Sequence, residues 1–115
     1  MKLIIGVTGA TGAPIAIRLL ETLKELKVET HLVLSKWAAV TISQETSYSV
    51  QDVKALADYT YSSEDQAAAI SSGSKRMDGM MIVPCSMKTL AAIRVGLADN
   101  LVARAADVML KERKP

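Results

Sequence analysis

The 115-residue chain contains no phenylalanine and only one cysteine, and aromatic residues make up just 3% of it. A single cysteine, Cys85, cannot form an intramolecular disulfide. With no signal-like segment at the N-terminus, this favours a reducing cytoplasm. No apolar run approaches the roughly 20 residues that a membrane-spanning helix needs, so no membrane partner is expected.

Charge of one sign is also scarce. Fourteen Lys and Arg residues face twelve Asp and Glu residues, for a net charge of +2, and the basic residues cluster only at the C-terminus. A nucleic-acid-binding protein needs a basic face or stripe, so no nucleic-acid partner is expected. No cluster of His, Cys and carboxylate residues has metal-ligand spacing, so no metal site is expected either.

Half of the residues are apolar, which is enough for one compact domain covering residues 1–115 and too little for two. Short apolar runs predict three buried strands, at residues 2–7, 28–34 and 79–83. Helical spacing predicts a first helix that begins at Ala13. It predicts further helices at residues 37–44, 51–58, 87–95 and 101–111. The segment 62–78 is rich in Ser, Gly and charge and is expected to be mostly irregular.

This alternation of strands and helices predicts an α/β fold with a parallel sheet. In the first helix we expect Ile15, Leu19, Leu20, Leu23 and Leu26 to face inward. In the helix at 87–95 we expect the same of Met87, Leu90 and Ile93. The chain ends where another strand is expected, which favours a domain that continues beyond Pro115.

A glycine-rich segment, Gly6 to Gly12, joins the first strand to the first helix. Its spacing is G-x-x-G-x-x-G, which lets the backbone turn tightly and approach a phosphate at the helix N-terminus. Short-chain dehydrogenases have similar spacing, so a nicotinamide cofactor competes with a flavin, and a bare tight turn is the structural alternative. The second strand ends in Leu34-Ser35-Lys36 without the carboxylate that commonly holds an adenosine ribose. Lys36 suits a 2′-phosphate, and Ser35 suits a hydrogen bond to the phosphate or ring of FMN, so the pattern favours FMN and leaves a nicotinamide cofactor open.

A second polar segment, Pro84 to Thr89, follows the third strand. Ligands of open α/β sheets bind outside the carboxyl ends of the strands, so this segment is expected to face the same crevice as the glycine-rich loop. Ser86 and Thr89 offer hydroxyl groups, although Ser86 is equally suited to cap a helix. Cys85 is interpreted as an apolar filler, and His31, inside a strand, as structural.

Five blocks together resemble the UbiX/Pad family of flavin prenyltransferases, in particular the small subunit of phenolic acid decarboxylase systems. The blocks are residues 6–14, 32–38, 68–74, 84–93 and 98–113. The resemblance implies a Rossmann-like (flavodoxin-like) three-layer αβα fold. It also implies an enzyme that binds reduced FMN and transfers a dimethylallyl group from dimethylallyl phosphate to flavin N5 and C6.

The resemblance further implies that prenylated FMN passes to a UbiD-type decarboxylase and that the protein forms a homo-oligomer. It assigns FMN binding to a set of loop residues, namely Gly9, Ala10, Thr11, Ser35, Ser86, Met87, Lys88 and Thr89. It assigns catalysis to Glu45, whose alternative interpretation is a solvated helix end.

The resemblance implies further residues for FMN and the prenyl donor that have no counterpart in residues 1–115, so two alternatives stay open. One is an FMN-binding fragment without catalysis. The other is a flavoprotein like the FMN-dependent cysteine decarboxylases, although the histidine motif of those enzymes is not found around His31.

Overall fold

The computed structural model describes all residues from 1 to 115 and contains a single parallel sheet. Its strands are β1 (Lys2–Val7), β2 (Glu29–Leu34), β3 (Tyr59–Ser62) and β4 (Gly79–Ile82), in the spatial order β3-β2-β1-β4. Each neighbouring pair is parallel. The predicted α/β fold with a parallel sheet is confirmed.

Five α-helices connect and cover the strands. They are α1 (Ala13–Glu25), α2 (Lys36–Glu45), α3 (Val50–Lys54), α4 (Met87–Val95) and α5 (Leu101–Lys111), with a short 3₁₀ turn at Ala69–Ser71. The predicted helix at 51–58 is too long, because α3 ends at Lys54 and the chain turns there toward β3. None of the helices is both long and apolar enough to cross a membrane.

The prediction of three strands is wrong, because β3 forms the edge of the sheet beside β2. Its register pairs Tyr59 with His31 and Ser62 with Leu34. The residues Tyr59, Thr60 and Tyr61 are aromatic or β-branched and favour a strand. Most of the segment from 63 to 78 is irregular as expected, but Ala68, Ile70 and Met77 are buried in the core.

The two faces of the sheet carry separate cores, which gives the three layers. One core packs α1, α2 and α3 against the sheet around Ile5, Leu20 and Leu32. The other packs α5 and the segment before β4 around Ile4 and Val33.

The buried faces of α1 and α4 differ in part from prediction, because small residues occupy some of the buried positions. In α1 the buried positions include Ala13 and Ala16, whereas Ile15 and Leu26 are exposed. In α4 the buried residues are Thr89 and Ala92, while Met87 and Leu90 face outward. Burial of Leu20 and Leu23 is confirmed; Leu19 and Ile93 are half-buried.

His31 is fully buried on β2, and its ring is part of a polar cluster with β3. Nε2 lies 2.8 Å from Glu29 Oε2, and Nδ1 lies 2.9 Å from the Tyr61 hydroxyl. The hydrogen bond from His31 lowers the pKa of the Glu29 carboxyl, and burial raises the pKa of Tyr61. The cluster joins two strands, in agreement with a structural role for His31.

Candidate functional site

A cavity of about 520 Å³ opens at the carboxyl ends of the strands. Its walls come from the ends of β1 and β3 and from the first turns of α2, α4 and α5. The lining residues are Thr8, Gly9, Ser35, Lys36, Trp37, Ser63, Glu64, Ser86, Lys88, Thr89, Ala92, Asp99, Asn100 and Ala103. The expectation that the glycine-rich loop and the segment after β4 face one crevice is therefore confirmed.

Three helices direct their N-termini at this cavity. Their N-cap residues are Ser35 for α2, Ser86 for α4 and Asn100 for α5, and all three line the cavity. Each N-cap side chain accepts a hydrogen bond from the backbone N–H three residues later. Because helix N-termini carry partial positive charge, their convergence favours an anionic ligand.

The charged side chains around the cavity are balanced in sign. Lys36 and Lys88 line it, as do Glu64 and Asp99. Lys36 Nζ lies 4.0 Å from Glu64 Oε1, and both side chains are exposed. The charged side chains therefore add no net charge, and the partial positive charge at the cavity comes from the helix N-termini.

Gly9 makes the closest contact between the glycine-rich loop and α2. A Cβ at this position would overlap Trp37 Cβ and lie 3.1 Å from the Trp37 carbonyl carbon. The Thr41 hydroxyl fixes the same contact, because it is 2.9 Å from the Gly9 carbonyl oxygen and 3.0 Å from that of Trp37. Gly9 thus allows α2 to begin against the loop.

The Ser86 hydroxyl is bound within the first turn of α4. It accepts a hydrogen bond from Thr89 N at 3.2 Å and donates one to Thr89 Oγ1 at 2.9 Å. A hydroxyl oxygen has two lone pairs, so Ser86 keeps the capacity to accept one further hydrogen bond. The helix cap and a ligand contact are therefore compatible at this residue.

Glu45, the last residue of α2, contacts the start of α1. Its Oε1 accepts hydrogen bonds from Gly12 N at 3.0 Å and Ala13 N at 3.1 Å. Gly12 is the N-cap of α1 and has no side chain to fill this role, and its φ of 127° suits glycine. Glu45 therefore caps α1 from another helix, and it does not line the cavity.

The structure brings together five of the eight residues predicted to bind FMN: Gly9, Ser35, Ser86, Lys88 and Thr89. Ala10 and Thr11, in the glycine-rich loop, and Met87, the first residue of α4, lie outside the cavity lining, and Thr11 and Met87 are exposed. All eight assignments stay predictions.

Sequence reasoning missed several lining residues. Asn100 precedes α5 as Ser35 precedes α2 and Ser86 precedes α4, and this shared cap pattern was the signal for a third helix N-terminus. Ser63 and Glu64 follow the strand that was not predicted, so nothing in the sequence analysis placed them at this edge. Trp37, the only tryptophan, lines the cavity and is 71% exposed.

Cys85 does not line the cavity. Burial raises the pKa of its thiol, which reduces the thiolate fraction at neutral pH. This favours the interpretation of Cys85 as a filler over that of a nucleophile. No group of three or more His, Cys, Asp or Glu side chains is arranged to hold a metal ion.

A comparison with family models relates this geometry to known proteins. The family described as Flavoprotein matches residues 1–115. The chain belongs to the flavoprotein family. Among curated relatives, a probable UbiX-like flavin prenyltransferase of Bacillus subtilis (strain 168) is 66% identical over 114 residues, which are 99% of this chain and 56% of the relative.

Solved flavoprotein structures share the fold. AnUbiX (PadA1), crystallised with FMN and dimethylallyl pyrophosphate, superposes with a TM-score of 0.97 at 57% identity, over 98% of this chain and 60% of that one. A dodecameric FMN-dependent UbiX-like decarboxylase from Escherichia coli O157:H7 superposes with a TM-score of 0.98 at 64% identity, over 99% and 63%. The chain thus spans about three fifths of these structures' length and somewhat less of the curated relative.

Proposed function

We propose that this chain forms the FMN-binding portion of a flavin prenyltransferase. The enzyme would bind reduced FMN and transfer a dimethylallyl group from dimethylallyl phosphate to N5 and C6 of the flavin. The observation that carries the proposal is the convergence of three helix N-termini on one cavity, in a flavoprotein 66% identical to a probable UbiX-like flavin prenyltransferase.

The residues of the cavity fit FMN in size and chemistry. A volume of about 520 Å³ is within the usual range for cofactor sites. The first turns of α2, α4 and α5 supply backbone N–H groups and partial positive charge for the phosphate. The hydroxyls of Ser35, Ser86 and Thr89 supply hydrogen bonds for the ribityl chain or the ring.

The chemistry asked of the protein is mainly orientation. Reduced FMN, when bound, supplies the nucleophilic ring nitrogen, and the chain holds the flavin and the allylic phosphate in line while water is excluded. We propose that Glu45 handles a proton during the transfer. Its contacts with Gly12 and Ala13 join it to the glycine-rich loop, so its carboxylate has a fixed position.

We further propose that prenylated FMN is passed to a UbiD-type decarboxylase and that the protein works as a cytoplasmic homo-oligomer. The dodecameric relative from Escherichia coli O157:H7 supports the oligomer. The dimethylallyl pyrophosphate in AnUbiX supports a prenyl donor of this class. A donor with a single phosphate is the form that we propose for this chain.

Ligand preference tests the FMN assignment. The purified chain is expected to bind FMN more tightly than FAD or NADPH, because the cavity is built around one terminal phosphate. Equilibrium dialysis measures the three affinities, and the fluorescence of Trp37, the only tryptophan, reports ligand in the cavity. Tighter retention of NADPH than of FMN would overturn the proposal in favour of a nicotinamide enzyme.

Removal of the Ser86 hydroxyl is a second test of the FMN site. Ser86→Ala is expected to weaken FMN binding by about 0.5 to 1.5 kcal/mol, and by more if its partner is a charged phosphate oxygen. Ser43→Ala is the matched control, because Ser43 is exposed on α2 and bonds only the Ala39 carbonyl oxygen. Thr11→Ala belongs in the same series, since the family resemblance places Thr11 on the flavin although it does not line the cavity. Equal affinity in the Ser86 and Ser43 variants would remove Ser86 from the site.

A further inference from the structure

The loops after β1 and β4 meet through one buried side chain, Thr8. This residue follows the last residue of β1 and is only 3% exposed. Its hydroxyl donates a hydrogen bond to the Pro84 carbonyl oxygen at 2.6 Å and accepts one from Ser86 N at 2.8 Å. The hydroxyl therefore joins two segments that are far apart in the sequence.

The two hydrogen bonds are not equivalent. Pro84 O also accepts a hydrogen bond from Thr8 N at 3.2 Å, so it keeps a partner if the hydroxyl is removed. Ser86 N has the Thr8 hydroxyl as its partner. Ser86 is the N-cap of α4, so this bond sets where α4 begins and where its N-terminal groups point.

We propose that Thr8 is a positioning residue of the ligand site. Through the Ser86 backbone N–H, it holds the N-terminus of α4 in register with the glycine-rich loop, so that both segments contact the same ligand. The inference rests on the proposed FMN site. It adds a role for a side chain whose hydroxyl is already used by the protein and need not contact the flavin.

Thr8→Val tests the proposal, because valine keeps the shape of threonine and removes the hydroxyl. The Ser86 N–H, which is half-buried at the cavity wall, then loses its partner, and FMN affinity is expected to fall by about tenfold. Thr8→Ser restores the hydroxyl and is expected to bind FMN within about threefold of wild type.

Thr30→Val is the matched control. Thr30 is also a buried threonine, 1% exposed, and its hydroxyl accepts a hydrogen bond from Asp58 N at the opposite end of the sheet. This variant is expected to lower the melting temperature and leave FMN affinity unchanged, which separates a general loss of stability from a loss of site geometry.

The outcomes distinguish the two claims. A wild-type chain that does not bind FMN would overturn the proposed function. Wild-type binding with equal affinities in the Thr8→Val and Thr30→Val variants would overturn the role of Thr8 alone. If Thr8→Val does not fold, amide exchange in the wild-type chain decides: the Ser86 amide is expected to be protected, and exchange as fast as that of an open loop would refute the contact.

Discussion

Glu45→Gln is expected to leave FMN affinity close to wild type and to slow the formation of prenylated flavin by at least about tenfold. A positioned acid or base typically contributes about 10² to 10⁴-fold to a rate. The amide oxygen of glutamine can still accept hydrogen bonds from Gly12 N and Ala13 N, so the start of α1 keeps its cap. Only the ability to take up a proton as a carboxylate is lost.

The test uses the natural polypeptide at its full length, because residues 1–115 span only part of the length of the related prenyltransferases. Reduced FMN and dimethylallyl phosphate are added under anaerobic conditions, and the formation of prenylated flavin is followed by mass spectrometry. Glu45→Ala is the companion variant, because it removes the cap as well and is expected to lose FMN affinity in addition to rate. Wild-type turnover in the Gln variant would show that Glu45 is a structural cap and not a catalytic group.

Gly9→Ala is expected to lower both stability and FMN affinity. The new Cβ overlaps Trp37 Cβ and crowds the Trp37 backbone, so either the glycine-rich loop or the start of α2 has to move. Overpacking of this kind costs about 1 to 3 kcal/mol in the free energy of unfolding. The glycine-rich loop and the start of α2 both line the cavity, so displacement of either is expected to lower FMN affinity by about tenfold or more.

The contact can be verified by second-site variants, measured by denaturant unfolding and FMN titration. Trp37→Ala keeps the Cβ and should not rescue Gly9→Ala, whereas Trp37→Gly removes the overlapping atom and should recover part of the loss. Equal recovery in both double variants would show that the indole ring, and not the backbone approach, is responsible. Wild-type stability of Gly9→Ala would refute the close contact itself.

Much of the fold could be predicted from the sequence because its strongest patterns are local. The strands β1, β2 and β4 are short apolar runs, and the N-caps of α2, α3 and α5 are residues that favour helix starts, namely Ser35, Ser49 and Asn100. The edge strand β3 was missed because the segment Tyr59–Ser62 has only four residues and lacks the continuous apolar run by which the other strands were recognised. Pairing with β2, which is a long-range contact, decides its conformation.

The buried faces of α1 and α4 were only partly predicted, for a related reason. Ile15 and Leu90 were expected to face inward but are exposed, whereas the smaller residues Ala16 and Thr89 are buried. Hydrophobicity alone does not distinguish these faces. The choice depends on the space between helix and sheet, which only the assembled fold defines.

The candidate site shows the same division. The residues that line the cavity within recognisable motifs, such as Gly9, Ser35 and Ser86, could be named from the sequence. The role of Thr8 could not be predicted, because it depends on the hydrogen bond that Ser86 N donates to the Thr8 hydroxyl across two loops. The position of Glu45 against α1 likewise requires the packing of α2 beside that helix.

The location of bound FMN decides whether the cavity at the carboxyl ends of the strands is the ligand site. In a ¹⁵N-labelled chain titrated with FMN, we expect the amide shifts to concentrate at this cavity, in Gly9, residues 35–37, residues 86–89 and residues 100–103. A second cavity of about 500 Å³ at the amino ends of β2 and β3, lined by Lys24, Lys27 and Asp58 among others, is the internal comparison. Amide shifts confined to that second cavity, or no shifts at saturating FMN, would contradict the proposed FMN site.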